Sequence, residues 1–292
     1  MQVLVTGGSG QVGGEILRRG LGPNVEVVAP NRNELNLADF CELRRYVLLN
    51  RFAAVVNCGA YTAVDKAESD VSDAWTINAL APAVLASAAA ERGIPIVQIS
   101  TDYVFDGTKV GRYVEDDPTR PVNVYGNSKA AGEAAIRALA VRHVILRTAW
   151  IFSSHGSNFL RSMLRLSQTQ DQVRIVNDQF GCPTSATDIA GAVAAIVTRF
   201  LEDRDACLGT YHFASAGEAT WFDFASEIFR QRSTAGRRVP QVIPISTIEY
   251  PTPARRPQNS RLSTQKFEAE FSFQAMDWKD AIAGVLQELD EK

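Results

Sequence analysis

The chain has 292 residues, 46% hydrophobic and 22% charged, and 30 basic against 33 acidic side chains leave a net charge of −3. That is enough chain for about two domains or lobes with a cleft between them, and too apolar for a disordered protein. The near balance of charge gives no support to nucleic-acid or anionic-membrane binding, and no apolar run reaches the ~18 residues of a membrane span.

In chain order, strand and helix signals alternate through the first half. Short runs rich in Val and Ile predict strands at Gln2–Thr6, Val25–Ala29, Ala53–Asn57, Ile94–Ile99 and His143–Arg147. Helices fit between them at Gln11–Leu21, Asp39–Arg51, Ser72–Arg92 and Val124–Ala140. Strands buried on both faces and joined by helices read as an α/β, doubly wound parallel sheet of the Rossmann type with right-handed crossovers. After Arg147 the alternation loosens and prolines gather, although helices still fit Asn158–Gln170, Thr187–Leu201, Trp221–Gln231 and Asp277–Leu289. The expected organisation is a dinucleotide-binding domain over residues 1–150. A smaller substrate-binding lobe follows over 151–292, some of whose segments return to the sheet. The apolar start at Val3 meets Gly7 too soon for a signal peptide. Cys41, Cys58, Cys182 and Cys207 lack CxxC spacing, which predicts reduced thiols in a cytoplasmic protein. Three scattered histidines form no metal motif.

The chemistry sits at the ends of the predicted strands. Gly7, Gly8, Gly10 and Gly13 follow the first strand and open a helix, satisfying both G-x-x-G-x-x-G and G-x-G-x-x-G. A diphosphate needs backbone N–H groups at a helix N-terminus with no Cβ in the way; without a ligand, the same glycines make a tight turn. After the second strand, Asn31 lacks the charge that would repel a 2′-phosphate, and Arg32 offers a partner for one. This favours NADPH, with NADH left open and a solvated arginine as the plain alternative. The third strand ends in Asn57-Cys58-Gly59-Ala60-Tyr61-Thr62, whose small residues fit close cofactor approach or close packing equally. Ser100-Thr101-Asp102 ends the fourth strand, where such sheets bind substrate, though hydroxyls there also serve loop backbone. Then comes Tyr125-x-x-x-Lys129, an i, i+4 pair on one helix face, 24 residues beyond Thr101. A lysine ammonium beside a phenol is expected to lower the phenol pKa and make it a general acid or base.

With these motifs the chain resembles the extended short-chain dehydrogenase/reductases and, within them, the dTDP-4-dehydrorhamnose reductase family. Narrower segments carry the second likeness. They are Thr62-Ala63-Val64-Asp65-Lys66-Ala67-Glu68, Asn177-Asp178-Gln179, Tyr250-Pro251-Thr252-Pro253 and Arg256-Pro257 with Asn259-Ser260-Arg261-Leu262. The resemblance implies a nucleotide-sugar substrate reduced at C4. It implies Tyr125 as proton donor, Lys129 on the nicotinamide ribose, and Thr101 hydrogen-bonded to the C4 oxygen. Asp102 and Trp150 would contact the sugar, and Arg256 its diphosphate. Gly7, Gly10, Gln11 and Val12 would hold the cofactor diphosphate, with Arg32, Asn36 and Leu37 at the adenosine end and Ala60, Tyr61 and Thr62 along the nicotinamide half. Three positions depart from the family. Asn31 and Asn36 stand where many relatives carry aspartate. Glu15 is kept at a contact that some relatives link to Mg²⁺, but Thr187 replaces a needed carboxylate, so Mg²⁺ is not expected. A homodimer is the ordinary expectation. Rival readings are a ketoreductase of another deoxyhexose, an epimerase or dehydratase, and a non-catalytic regulatory subunit. The Asp102-Tyr103 pair lacks the Asp-Glu of a dehydratase.

Overall fold

The computed structural model describes residues 1–203 and 208–291, which leaves Cys207 outside the described residues. Five strands, β1 (Gln2–Thr6), β2 (Glu26–Val28), β3 (Phe52–Asn57), β4 (Ile96–Thr101) and β5 (His143–Thr148), join Gly209–His212 in one sheet. Its spatial order is 209–212, β5, β4, β3, β1, β2, and every pair is parallel. The fold class is therefore the doubly wound α/β sheet expected from the alternation.

Helices cover both faces. Gln11–Arg19 and Ala186–Glu202 pack together over one face, on Val3, Val5, Val56, Val97 and Leu146. Phe40–Leu49, Ala81–Arg92 and Val124–Leu139 cover the other, on Leu4, Val55, Ile96 and Ile145. A separate core in the second half gathers Phe152, Leu160, Phe224, Trp278 and Ile282. Around it, Gln172–Val176 pairs in parallel with Gln241–Ile245, and Phe180–Gly181 pairs antiparallel with Ala219–Thr220.

Among the differences from expectation, two have clear local reasons. β4 starts at Ile96 rather than Ile94, because Gly93 takes a left-handed conformation (φ 63°) and the Ile94 N–H turns back to Ala89 O at 3.0 Å. The expected single helix over Ser72–Arg92 is three segments, Val71–Trp75, a π-helical stretch Thr76–Leu80, and Ala81–Arg92. Pro82 has no N–H to give to the Asn78 carbonyl, so the ladder widens there. Helix Val124–Leu139 comes close at that point: a Cβ on Gly132 would stand 2.1 Å from Asn78 O. Among the described residues no helix is long and apolar enough to cross a membrane.

Candidate active site

A cleft of about 700 Å³ opens along the C-terminal ends of β1 to β4. Gly7, Gly10, Gln11, Val12, Arg32, Asn36, Leu37, Ala60, Tyr61, Thr62, Tyr125 and Lys129 all line it. The sheet turns its strand order outward from β1 here, the place where open α/β sheets bind ligands.

The glycine loop is shaped by close backbone approach. Gly7 has φ 71°, and a Cβ there would stand 2.6 Å from Gly59 N; a Cβ on Gly13 would stand 2.3 Å from Gly7 O. Helix Gln11–Arg19 has no acidic residue in its first turn and no side-chain cap at Gly10, so its first N–H groups and positive dipole end remain available to an anion. The loop thus fits a dinucleotide diphosphate on geometry alone. The second half of the chain holds it in place: Ser153 Oγ and Asn158 Nδ2 each donate to Gln11 Oε1 at 2.9 Å.

At the adenosine end, Asn31 Oδ1 accepts from Asn33 N at 2.9 Å, and Glu34 Oε2 accepts from Asn31 N at 2.8 Å. Asn36 Oδ1 likewise accepts from Ala38 N at 3.1 Å. Both asparagines therefore serve their own turns. Arg32 is exposed and makes no hydrogen bond or ion pair among the described residues.

The reacting end lies where helix Val124–Leu139 crosses β4. Asn123 caps that helix, its Oδ1 accepting from Gly126 N at 2.7 Å, which fixes the first turn carrying Tyr125. Lys129, 4% exposed, donates from Nζ to Ile99 O at 2.7 Å. The expected lowering of the phenol by Lys129 is not found. Burial pushes the Tyr125 hydroxyl up to about 12; the Thr101 hydroxyl pulls the other way and the Asp102 charge adds to the rise. Burial also pushes Lys129 down to about 8, opposed by Glu133 and Cys58. The phenol is thus held protonated at neutral pH, the state that a proton donor requires.

Thr101 and Asp102 are buried beside Tyr125, with Thr101 Oγ1 donating to Asp102 Oδ1 at 2.9 Å. Asp102 Oδ2 is buried with no hydrogen bond among the described residues. Burial raises this carboxyl to about 6, against the Ser260 and Thr101 hydroxyls, which pull it down. Trp150 stacks on Trp221, ring centroids 3.5 Å apart. Arg256 sits with Nη2 on Asp65 Oδ2 at 2.7 Å and Nη1 buried without a partner among the described residues. Neither Trp150, Arg256, Thr101 nor Asp102 lines the cofactor cleft itself.

Several contributors were not read from the sequence. Asn78, in the π-helical stretch, clamps the Tyr61 peptide group, accepting from its N at 2.9 Å and donating to its O at 3.0 Å. Glu133 accepts from Ser100 Oγ at 2.6 Å and from Arg147 Nε at 2.9 Å, tying β4 and β5 to the Tyr125 helix. Glu133 stands four residues after Lys129, so the spacing was a usable signal; Asn78 left none. Glu15 accepts from both Arg18 and Arg19, and Arg19 Nη2 reaches Thr187 Oγ1 at 3.3 Å. Among the described residues no group of three or more His, Cys, Asp or Glu gathers to hold a metal ion.

The chain matches the model of the RmlD substrate binding domain over residues 1–291. A dTDP-4-dehydrorhamnose reductase of Sinorhizobium fredii is 42% identical over 282 residues, 96% of this chain and 95% of that one. A dTDP-4-keto-6-deoxy-D-glucose reductase of Streptomyces niveus is 41% identical over 228 residues, 78% of this chain and 77% of that one. The crystal structure of a dTDP-4-dehydrorhamnose reductase from Bacillus anthracis in complex with NADP superposes with TM-score 0.91 at 31% identity, covering 98% of this chain and 99% of that one. With the glycine cradle, the Tyr125–Lys129 helix and these full-length likenesses together, the chain belongs to the RmlD family, that of the dTDP-4-dehydrorhamnose reductases.

Proposed function

We propose that this chain is an NADPH-dependent reductase of the C4 keto group of dTDP-4-dehydro-6-deoxy-L-mannose, giving dTDP-L-rhamnose. The observation that carries this reading is that Tyr125 and Lys129 line the same cleft as the glycine loop. When bound, the reduced nicotinamide supplies the hydride. Gly7, Gly10, Gln11 and Val12 present N–H groups to the diphosphate. Arg32, exposed in the cleft and unpaired among the described residues, meets the 2′-phosphate. Lys129 is held by the Ile99 carbonyl and reaches the nicotinamide ribose. Tyr125, kept neutral by burial, gives its proton to the C4 oxygen, and Thr101 hydrogen-bonds that oxygen. Asp102 and Trp150 meet the sugar. Arg256 meets the substrate diphosphate through Nη1, the arm that Asp65 leaves free.

On this reading residues 1–150 bind the dinucleotide and carry the chemistry, while 151–292 mainly cover the substrate. The protein works in the cytoplasm as a homodimer, without nucleic acid, membrane or Mg²⁺. The test follows NADPH oxidation with dTDP-4-keto-6-deoxyglucose and a 3,5-epimerase, and then identifies the sugar. Rhamnose is the expected product; no oxidation with or without the epimerase would overturn the reading. The likeness to the Streptomyces niveus enzyme favours one second reading, reduction of the unepimerised sugar, which oxidation without the epimerase would reveal.

A further inference from the structure

Trp150 is held by more constraints than a packed aromatic needs. Its backbone lies at φ 47°, and the other non-glycine residues with positive φ among the described residues are Asn24 and Ser272. A left-handed backbone is strained for a bulky side chain and persists only where surroundings enforce it. The ring lies over Gly181, where a Cβ would come within 2.3 Å of Trp150 Cε2. The ring also stacks on Trp221, nearly parallel at an interplanar angle of 5°. Trp221 is itself fixed: its Nε1 donates to Gln179 Oε1 at 3.2 Å, and Gln179 Nε2 donates to Thr247 Oγ1 at 3.0 Å. Trp221 is also the first residue of a helix closed by the Thr220–Asp223 capping box.

We propose that Trp221 is a positioning residue for the substrate end, stacking Trp150 into the one orientation in which it meets the sugar nucleotide. This rests on the reading that Trp150 contacts the sugar. It also gives the Asn177-Asp178-Gln179 run a purpose. Asp178 accepts from Thr247 N at 2.9 Å, so Asp178 and Gln179 both grip Thr247 while Gln179 aligns Trp221. Trp150 is the joint between two cores, one beside β4 and β5 and one in the second half of the chain. Turning its ring therefore needs both sides to give.

The test compares the wild-type protein with Trp221→Leu, Trp221→Phe and Trp150→Phe. Two stacked indoles couple electronically, so the wild type should show an exciton couplet by circular dichroism that all three variants lose. Saturating dTDP-sugar should perturb the wild-type couplet, whereas NADPH alone should not. Trp221→Leu should raise the KM for the sugar nucleotide about tenfold with NADPH affinity within about twofold, and Trp221→Phe, which still stacks, should recover most of the loss. A raised KM in Trp150→Phe with an unchanged KM in Trp221→Leu would overturn the role of Trp221 alone. Unchanged values in both would remove Trp150 from the sugar, and the proposal with it. If Trp221→Leu fails to fold, Trp221→Phe decides: a KM rise as large as that of Trp150→Phe, with the couplet gone from both, overturns rescue by stacking.

Discussion

The ends of this protein that we assign to the cofactor and to the substrate are built by different means. The cofactor end is made of backbone: glycines 7, 10 and 13, a bare helix N-terminus, and asparagines that serve their own turns. The end we assign to the substrate is made of side chains, with Trp150, Trp221 and Arg256 held by partners far away in sequence and Asp102 bonded to its neighbour Thr101. A backbone cradle tolerates neighbouring variation but not an added Cβ. A side-chain wall tolerates change in its backbone but depends on each residue that holds it. Lys129 and Tyr125 stand between the two, on one helix turn that faces both.

The largest expected effect falls at that junction. Tyr125→Phe should lower kcat by about 10²- to 10⁴-fold, the usual worth of a positioned general acid, with NADPH affinity within about twofold. Near-normal turnover would break the assignment of the donor. Gly7→Ala comes next. Its Cβ meets Gly59 backbone and its φ stays positive, so titration should show cofactor binding weakened by at least about tenfold. If affinity holds, the cradle is softer than its geometry. Arg32→Ala should raise the KM for NADPH by about tenfold and leave that for NADH unchanged, because one charge-assisted contact is lost. Equal changes for both cofactors would place Arg32 elsewhere than at the 2′-phosphate.

The pH dependence of stability separates the two ends more gently. Lys129 is held down at about 8 against an ordinary 10.5, so the unfolded chain carries the extra proton between those values. Stability from this group should therefore rise as pH climbs from about 8 to 10.5. Asp102 is held up at about 6 against an ordinary 3.8, so the folded chain carries the extra proton and stability falls as pH rises through that window. Unfolding curves for Lys129→Met and Asp102→Asn, subtracted from wild type, should show these opposite slopes; flat differences would mean both charges are solvated. The smallest expected effect is none. Removing divalent metal with EDTA should leave turnover unchanged, because Arg18 and Arg19 already occupy the Glu15 carboxylate.

Legibility in the sequence followed the same division. The glycine spacing, the strand ends and Tyr125-x-x-x-Lys129 are local patterns, and the residues read from them as cofactor contacts do line one cleft. Asn78 could not be found that way, since its role comes from a π-helical widening that Pro82 and the approach of Gly132 produce together. Trp221 was read only as the start of a helix, because its stacking partner lies 71 residues earlier.

By itself the sequence determined the alternation of strands and helices, the glycine turn and the placing of Tyr125 and Lys129 on one helix face, because each is a pattern local in sequence. The tertiary structure alone decided the directions in which the phenol and lysine pKa values shift, through burial on both. It also decided the pose of Trp150, through Gly181 and Trp221 arriving from elsewhere in the chain. Desolvation and side-chain packing depend on which distant segments meet, and no local pattern encodes that meeting.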